Sequence, residues 1–214
     1  MFVRTTVRTL AFAIVALGTT VGASAAVLKG DPAAGEAKAA TCGACHGVDG
    51  NSAVPNFPKL AGLGEKYLVK QMQDIRSGLR PVAAMAGQVD NMTDQDLADI
   101  AAYYDAQVRS PELTDPELLE LGRKVYMSGI MDRKVAACSG CHSPSGKGNA
   151  PAGFPALAGQ HADYIAAQLK MFRKGYEDPT GRVNDGDSKI MRTTAFELSD
   201  LEIKAVAAYA SGLR

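Results

Sequence analysis

"TCGACHGVDG" (41–50) and "ACSGCHSPSG" (137–146) each place two cysteines and a histidine within five positions. Cys42, Cys45 and His46 form one group; Cys138, Cys141 and His142 form the other. Three chemistries compete for this pattern: a disulfide, part of a zinc site, or the covalent anchor of a haem. A disulfide explains the paired cysteines but not the histidine that follows each pair. Zinc takes Cys and His but needs four ligands, and the one other histidine, His161, aligns with Gly64 in the other motif's half. A thioredoxin-like redox motif needs a βαβ setting that is absent here. Haem uses every residue: two thiols one helical turn apart add to two vinyl groups, and the next residue sits under the iron. Two such motifs in one chain indicate two covalently bound haem c groups.

The motifs belong to an internal repeat. "FPKLAG" (57–62) returns as "FPALAG" (154–159), an offset of 97 shared by Tyr67/Tyr164 and Gln71/Gln168. The cysteines are offset by 96, and "TDQDLADIAAYY" (93–104) matches "SDLEIKAVAAYA" (199–210) at 106. Offsets that change only between elements are what loop insertions produce. The elements read as helices. Leu68, Met72, Ile75 and Leu79 form one apolar stripe, and Ile165, Leu169, Phe172 and Tyr176 repeat it. Ser199 with Glu202 is a capping box, and Thr93 with Asp96 a weaker version. Asp31-Pro32 and Asp115-Pro116 read as N-caps followed by proline at the first helical position. No stretch alternates as a strand does. The expectation is an all-α chain of two tandem domains, 26–110 and 111–214, parted near "RSPELTDP" (109–116), where prolines break the helical pattern.

The first 25 residues read as a signal peptide. Arg4 and Arg8 give a positive start, "LAFAIVAL" (10–17) an apolar stretch, and Ala23-Ser24-Ala25 a cleavage signal. That apolar run is too short for a bilayer span, which needs ~20 residues. The mature chain is expected to act outside the cytoplasm. Acidic and basic residues balance at 23 each, which argues against nucleic-acid binding. Each half is small and poor in aromatics, and a large buried cofactor would supply apolar surface that the side chains lack.

Histidine on one face leaves the opposite axial position of each iron to be filled. Met85 and Met191 are the methionines that coincide when the halves are superposed, at the offset of 106. Both are placed in loops before the last helix of their half, and Met92 competes for the first site. Met72 maps onto Leu169 and Met92 onto Leu198, as exchangeable core residues would. Met127 and Met131 are expected to be packing residues. A soft thioether favours Fe(II) and raises the potential, a setting for electron transfer rather than substrate chemistry. The carbonyls of Pro58 and Pro155, in the repeated "FP", are candidates to accept the other ring N–H of His46 and His142.

"CGACHGVDGN…PNFPKLAG", followed by "CSGCH…GFPALAGQ" and "NDGDSKIM", resembles the dihaem cytochrome c4 family over essentially the whole mature chain. The resemblance implies two class I cytochrome c domains about a pseudo-twofold axis, with the haems facing one another. It implies attachment through Cys42, Cys45, Cys138 and Cys141, and axial pairs His46/Met85 and His142/Met191. It further implies a periplasmic electron carrier, not an enzyme, peripherally associated with the membrane. A quinol-oxidising complex would be its donor and a terminal oxidase its acceptor. The alternative is the dihaem subunit of a flavocytochrome c sulfide dehydrogenase, which has similar domains. Thiosulfate dehydrogenases use a cysteine as distal ligand, and all four cysteines here are committed to attachment.

Overall fold

The computed structural model describes residues 1–2 and 28–214. The charged start, apolar stretch and cleavage site expected of a signal peptide all fall outside those residues. Among the described residues the regular structure is helical, with two isolated β-bridges, Ile130–Val135 and Asn149–Phe154. No helix among them is long and apolar enough to cross a membrane.

The first half comprises α1 (Pro32–Lys38), α2 (Gly43–His46), α3 (Glu65–Arg76) and α4 (Asp94–Asp105). Asp31 caps α1 by accepting from Ala33 N at 2.9 Å, with Pro32 at the first helical position. The second half repeats the plan with α5 (Leu119–Ser128), α6 (Ser139–His142), α7 (Ala162–Gly175), α8 (Ile190–Phe196) and α9 (Asp200–Ser211). A short 3₁₀ turn capped by Asp115 leads into α5. Both capping boxes close fully, so Thr93–Asp96 is no weaker than Ser199–Glu202.

In each half the first and last helices cross, α1 on α4 and α5 on α9, and α3 or α7 packs beside them. The crossings are close because of single glycines. A Cβ on Gly35 would lie 2.0 Å from the Asp99 carbonyl oxygen, and one on Gly122 would lie 2.2 Å from that of Ala205. Each half has its own core. Leu68, Ile100, Tyr103 and Tyr104 anchor the first; Tyr126, Ile165, Phe172 and Ile203 anchor the second. Tyr126 is fully buried, and its hydroxyl donates to Ser143 O at 2.7 Å.

Three expectations about side chains do not hold. Leu79 leaves the apolar stripe because α3 ends at Arg76 and Gly78 turns the chain at φ +78°, so Leu79 is half exposed. Tyr176 caps α7 and stacks on Phe196 at 4.1 Å instead of entering the core. Met127 and Met131 are exposed, not packing: Met127 ends the outer face of α5, and Met131 sits in the tight turn that the Ile130–Val135 bridge closes.

Candidate functional site

Each Cys-x-x-Cys-His segment is a single helical turn, α2 or α6, with the first cysteine at its N-cap. The histidine N–H donates to the carbonyl of that cysteine, His46 to Cys42 and His142 to Cys138, both at 2.9 Å. This i, i+4 relation stacks the first cysteine and the histidine on one face. All four cysteines are free thiols. Burial pushes the Cys42 thiol up and the Cys138 thiol to about 11, so both rest protonated. No three His, Cys, Asp or Glu side chains converge as a metal site among the described residues.

The two histidines have the same surroundings. His46 Nδ1 donates to Pro58 O and His142 Nδ1 to Pro155 O, each at 2.9 Å. The proline carbonyls therefore do what the sequence suggested. With Nδ1 carrying the proton, each Nε2 presents a lone pair. The phenylalanine of the same "FP" motif flanks each ring, Phe57 and Phe154 both at 6.3 Å. Burial lowers both histidines below the usual imidazole range, against the pull of the carbonyls, and so keeps them in the neutral form that binds iron.

Cys42, Cys45 and His46 open onto a cavity of about 700 Å³ walled mostly by the first half and closed by Tyr164, Gln168 and Arg182 of the second. That is the size of a cofactor site. Leu68, Ile100 and Tyr104 contribute to its walls, and Met85 faces it from a 3₁₀ turn, Ala83–Met85. Thiols on one wall, a neutral imidazole and apolar sides fit a covalently held haem. Met72 and Met92 also line this cavity while packing on the first core. Met191 packs against the second core from the first turn of α8, so it sits in a helix and not in a loop. Lys189, in a left-handed conformation, caps α8, which therefore starts at Ile190 and holds Met191 in its first turn.

Where the halves meet, two arginines cross in opposite directions. Arg80 donates to Gln71 at 3.0 Å within its own half, and to Tyr164 (2.9 Å) and Gln168 (3.1 Å) of the other. Arg182 donates to Gln168 at 2.7 Å, and across the seam to Gln71 (2.7 Å) and Tyr67 (3.2 Å). Burial would raise the Tyr67 phenol, but Arg182 and Arg80 outweigh it and hold it low. The repeat marked these tyrosines and glutamines without giving them a role. It did not mark the arginines, which are 102 positions apart and match none of its offsets. His161 lies at the same seam, its ring bonded to Ser52 O and Glu112.

Two helical units, each holding a Cys-x-x-Cys-His turn whose histidine is oriented by a proline carbonyl, make a dihaem c-type cytochrome, built for electron transfer. The cytochrome c family model matches residues 32–105 and 119–213. Cytochrome c4 of Azotobacter vinelandii is 53% identical over 193 residues, covering 86% of this chain and 90% of that one. Cytochrome c4 of Pseudomonas aeruginosa is 55% identical over 184 residues, with coverage of 86% and 89%. The crystal structure of reduced recombinant cytochrome c4 from Pseudomonas stutzeri superposes with a TM-score of 0.83 at 51% identity. It covers 86% of this chain and 100% of that one. The chain belongs to the dihaem cytochrome c4 family.

Proposed function

We propose that Cys42 and Cys45 attach the first haem and Cys138 and Cys141 the second, with axial pairs His46/Met85 and His142/Met191. The halves are domains 26–110 and 111–214 of an exported chain working in the periplasm. It carries electrons from a quinol-oxidising complex to a terminal oxidase at the membrane surface and catalyses nothing itself. When bound, each haem supplies an Fe(III)/Fe(II) couple. The protein holds the histidine neutral and oriented, supplies a thioether opposite, and keeps water out. The observation that carries this reading is the matched pair of histidine-to-proline bonds, His46–Pro58 and His142–Pro155. The proximal sides of the two sites are built alike.

Met85→Ala and Met191→Ala, made separately, test the ligands. Each is expected to lower one haem's potential and admit an external ligand at that iron alone. An unchanged spectrum in either variant would refute that methionine. Protein purified from its host should carry no flavin and be reoxidised rapidly by the host's membranes. Flavin at one per chain would instead make it a sulfide dehydrogenase subunit.

A further inference from the structure

Gln160 and His161 lie just before α7 of the second half but reach into the first. Gln160 Oε1 accepts from Lys59 N at 2.9 Å, and Gln160 Nε2 donates to Lys59 O at 2.8 Å. Lys59 N and Pro58 O belong to one planar peptide unit. Its carbonyl edge takes the proton of His46 Nδ1, and its N–H edge is held by Gln160. An N–H that is given away makes the carbonyl of the same peptide a stronger acceptor. The orientation and basicity of the His46 ring are thus tied to a side chain of the other half.

His161 fixes that side chain. Its backbone N–H donates to Gln160 Oε1 at 3.0 Å. Its ring is buried, with Nε2 2.9 Å from Ser52 O and Nδ1 3.0 Å from Glu112 Oε1. Both ring nitrogens face oxygen atoms, so the ring is held from two sides. Glu112, in the linker, is also bound by the buried Lys59 Nζ at 2.6 Å. Glu112 and Lys59 are the charged groups at this anchor, since Asp163 of α7 lines the haem cavity instead. The second half receives a different contact in return, from Arg109 of the first. Leu63 and Gly64 occupy the repeat positions of Gln160 and His161. Ala156, the counterpart of Lys59, is held on its carbonyl by Arg109 at 3.0 Å.

We propose that Gln160 is a positioning residue for the first haem, acting across the domain seam through the Pro58–Lys59 peptide on His46, with His161 as its anchor. The inference rests on His46 being an iron ligand. It makes the two electronically similar sites unequal: the first depends on docking of the second half, and the second does not depend on Gln160.

The test is Gln160→Leu in the dihaem protein, read by the His46 and His142 Nδ1–H resonances of the reduced form and by both potentials. The His46 resonance is expected to move and the first potential to rise, because a weaker Pro58 acceptor leaves a less basic ligand. The His142 resonance and the second potential should hold. Unmoved signals, or equal movement at both haems, would overturn the proposal. His161→Gln, a gentler change, should give a smaller shift confined to the same haem, and covers the case in which Gln160→Leu fails to fold. A wild-type spectrum lacking histidine ligation would instead count against the ligand assignment itself.

Discussion

Arg182 Nη2 lies 2.7 Å from Gln71 Oε1, so a buried cation of the second half is hydrogen-bonded to a helix of the first. The same guanidinium sits 4.3 Å over the Phe172 ring and donates to Asn184 Oδ1 at 2.8 Å. Removing it leaves Gln71, Gln168 and Asn184 each short of a partner at the seam. Arg182→Met is therefore expected to cost about 1–3 kcal/mol, the range for leaving buried hydrogen-bond partners unsatisfied. Arg182→Lys should recover only part of this, because an ammonium cannot reproduce the planar fork. Denaturant midpoints of the two variants, with haem absorbance as the probe, check both outcomes.

The helix crossings give a second prediction. Gly35→Ala and Gly122→Ala each drive a methyl group into a backbone carbonyl of the facing helix, with no flexible side chain to yield. Each should lose more than about 2 kcal/mol, toward the upper end for overpacking. Gly140→Ala, in the second haem-binding turn, meets nothing within 4 Å and should be close to neutral. Thermal unfolding of the three variants separates these cases.

Acid should weaken the α1–α4 contact of the first half. Lys38 bridges Asp96 and Asp99 at 2.6 Å each, and that contact, with backbone and Gln95 donors, holds Asp99 down to about 2. Asp96 is held lower still by Lys38 and Thr93. Carboxylates whose folded pKa lies below the unfolded value near 3.9 stabilise the fold above that pH, and the contribution fades as pH falls toward 2. Lys38→Met should flatten this loss between pH 4 and 2. Stability against pH for wild type and variant gives the answer, and an unchanged slope would remove Lys38 from the account.

Met92 shares the first cavity with Met85 but belongs to the core as well. Met92→Leu keeps its volume, so it should leave both haem spectra intact at a cost under about 1.5 kcal/mol. A lost methionine-ligand band would transfer the sixth ligand from Met85 to Met92.

The sequence alone determined the chemistry. Thiol and imidazole spacing within one turn is a local property, so Cys42, Cys45, His46 and their repeats were legible as haem anchors without a fold. The helical periods, the caps and the proline acceptors were legible for the same reason. Each lies within a few residues or is duplicated at a fixed offset, as Pro58 and Pro155 are. Helix ends were less so: Leu79 and Tyr176 continue the apolar spacing past the point where Gly78 and the α7 cap turn the chain. What only the tertiary structure decided is how the halves meet. Arg80, Arg182, Gln160 and His161 break the repeat, and their partners lie across the seam; for the Gln160–Lys59 bonds that is 101 residues along the chain. An internal repeat specifies two like sites. It cannot specify the contacts between them, because side chains at a seam answer to the opposite half and are free of the periodicity of their own.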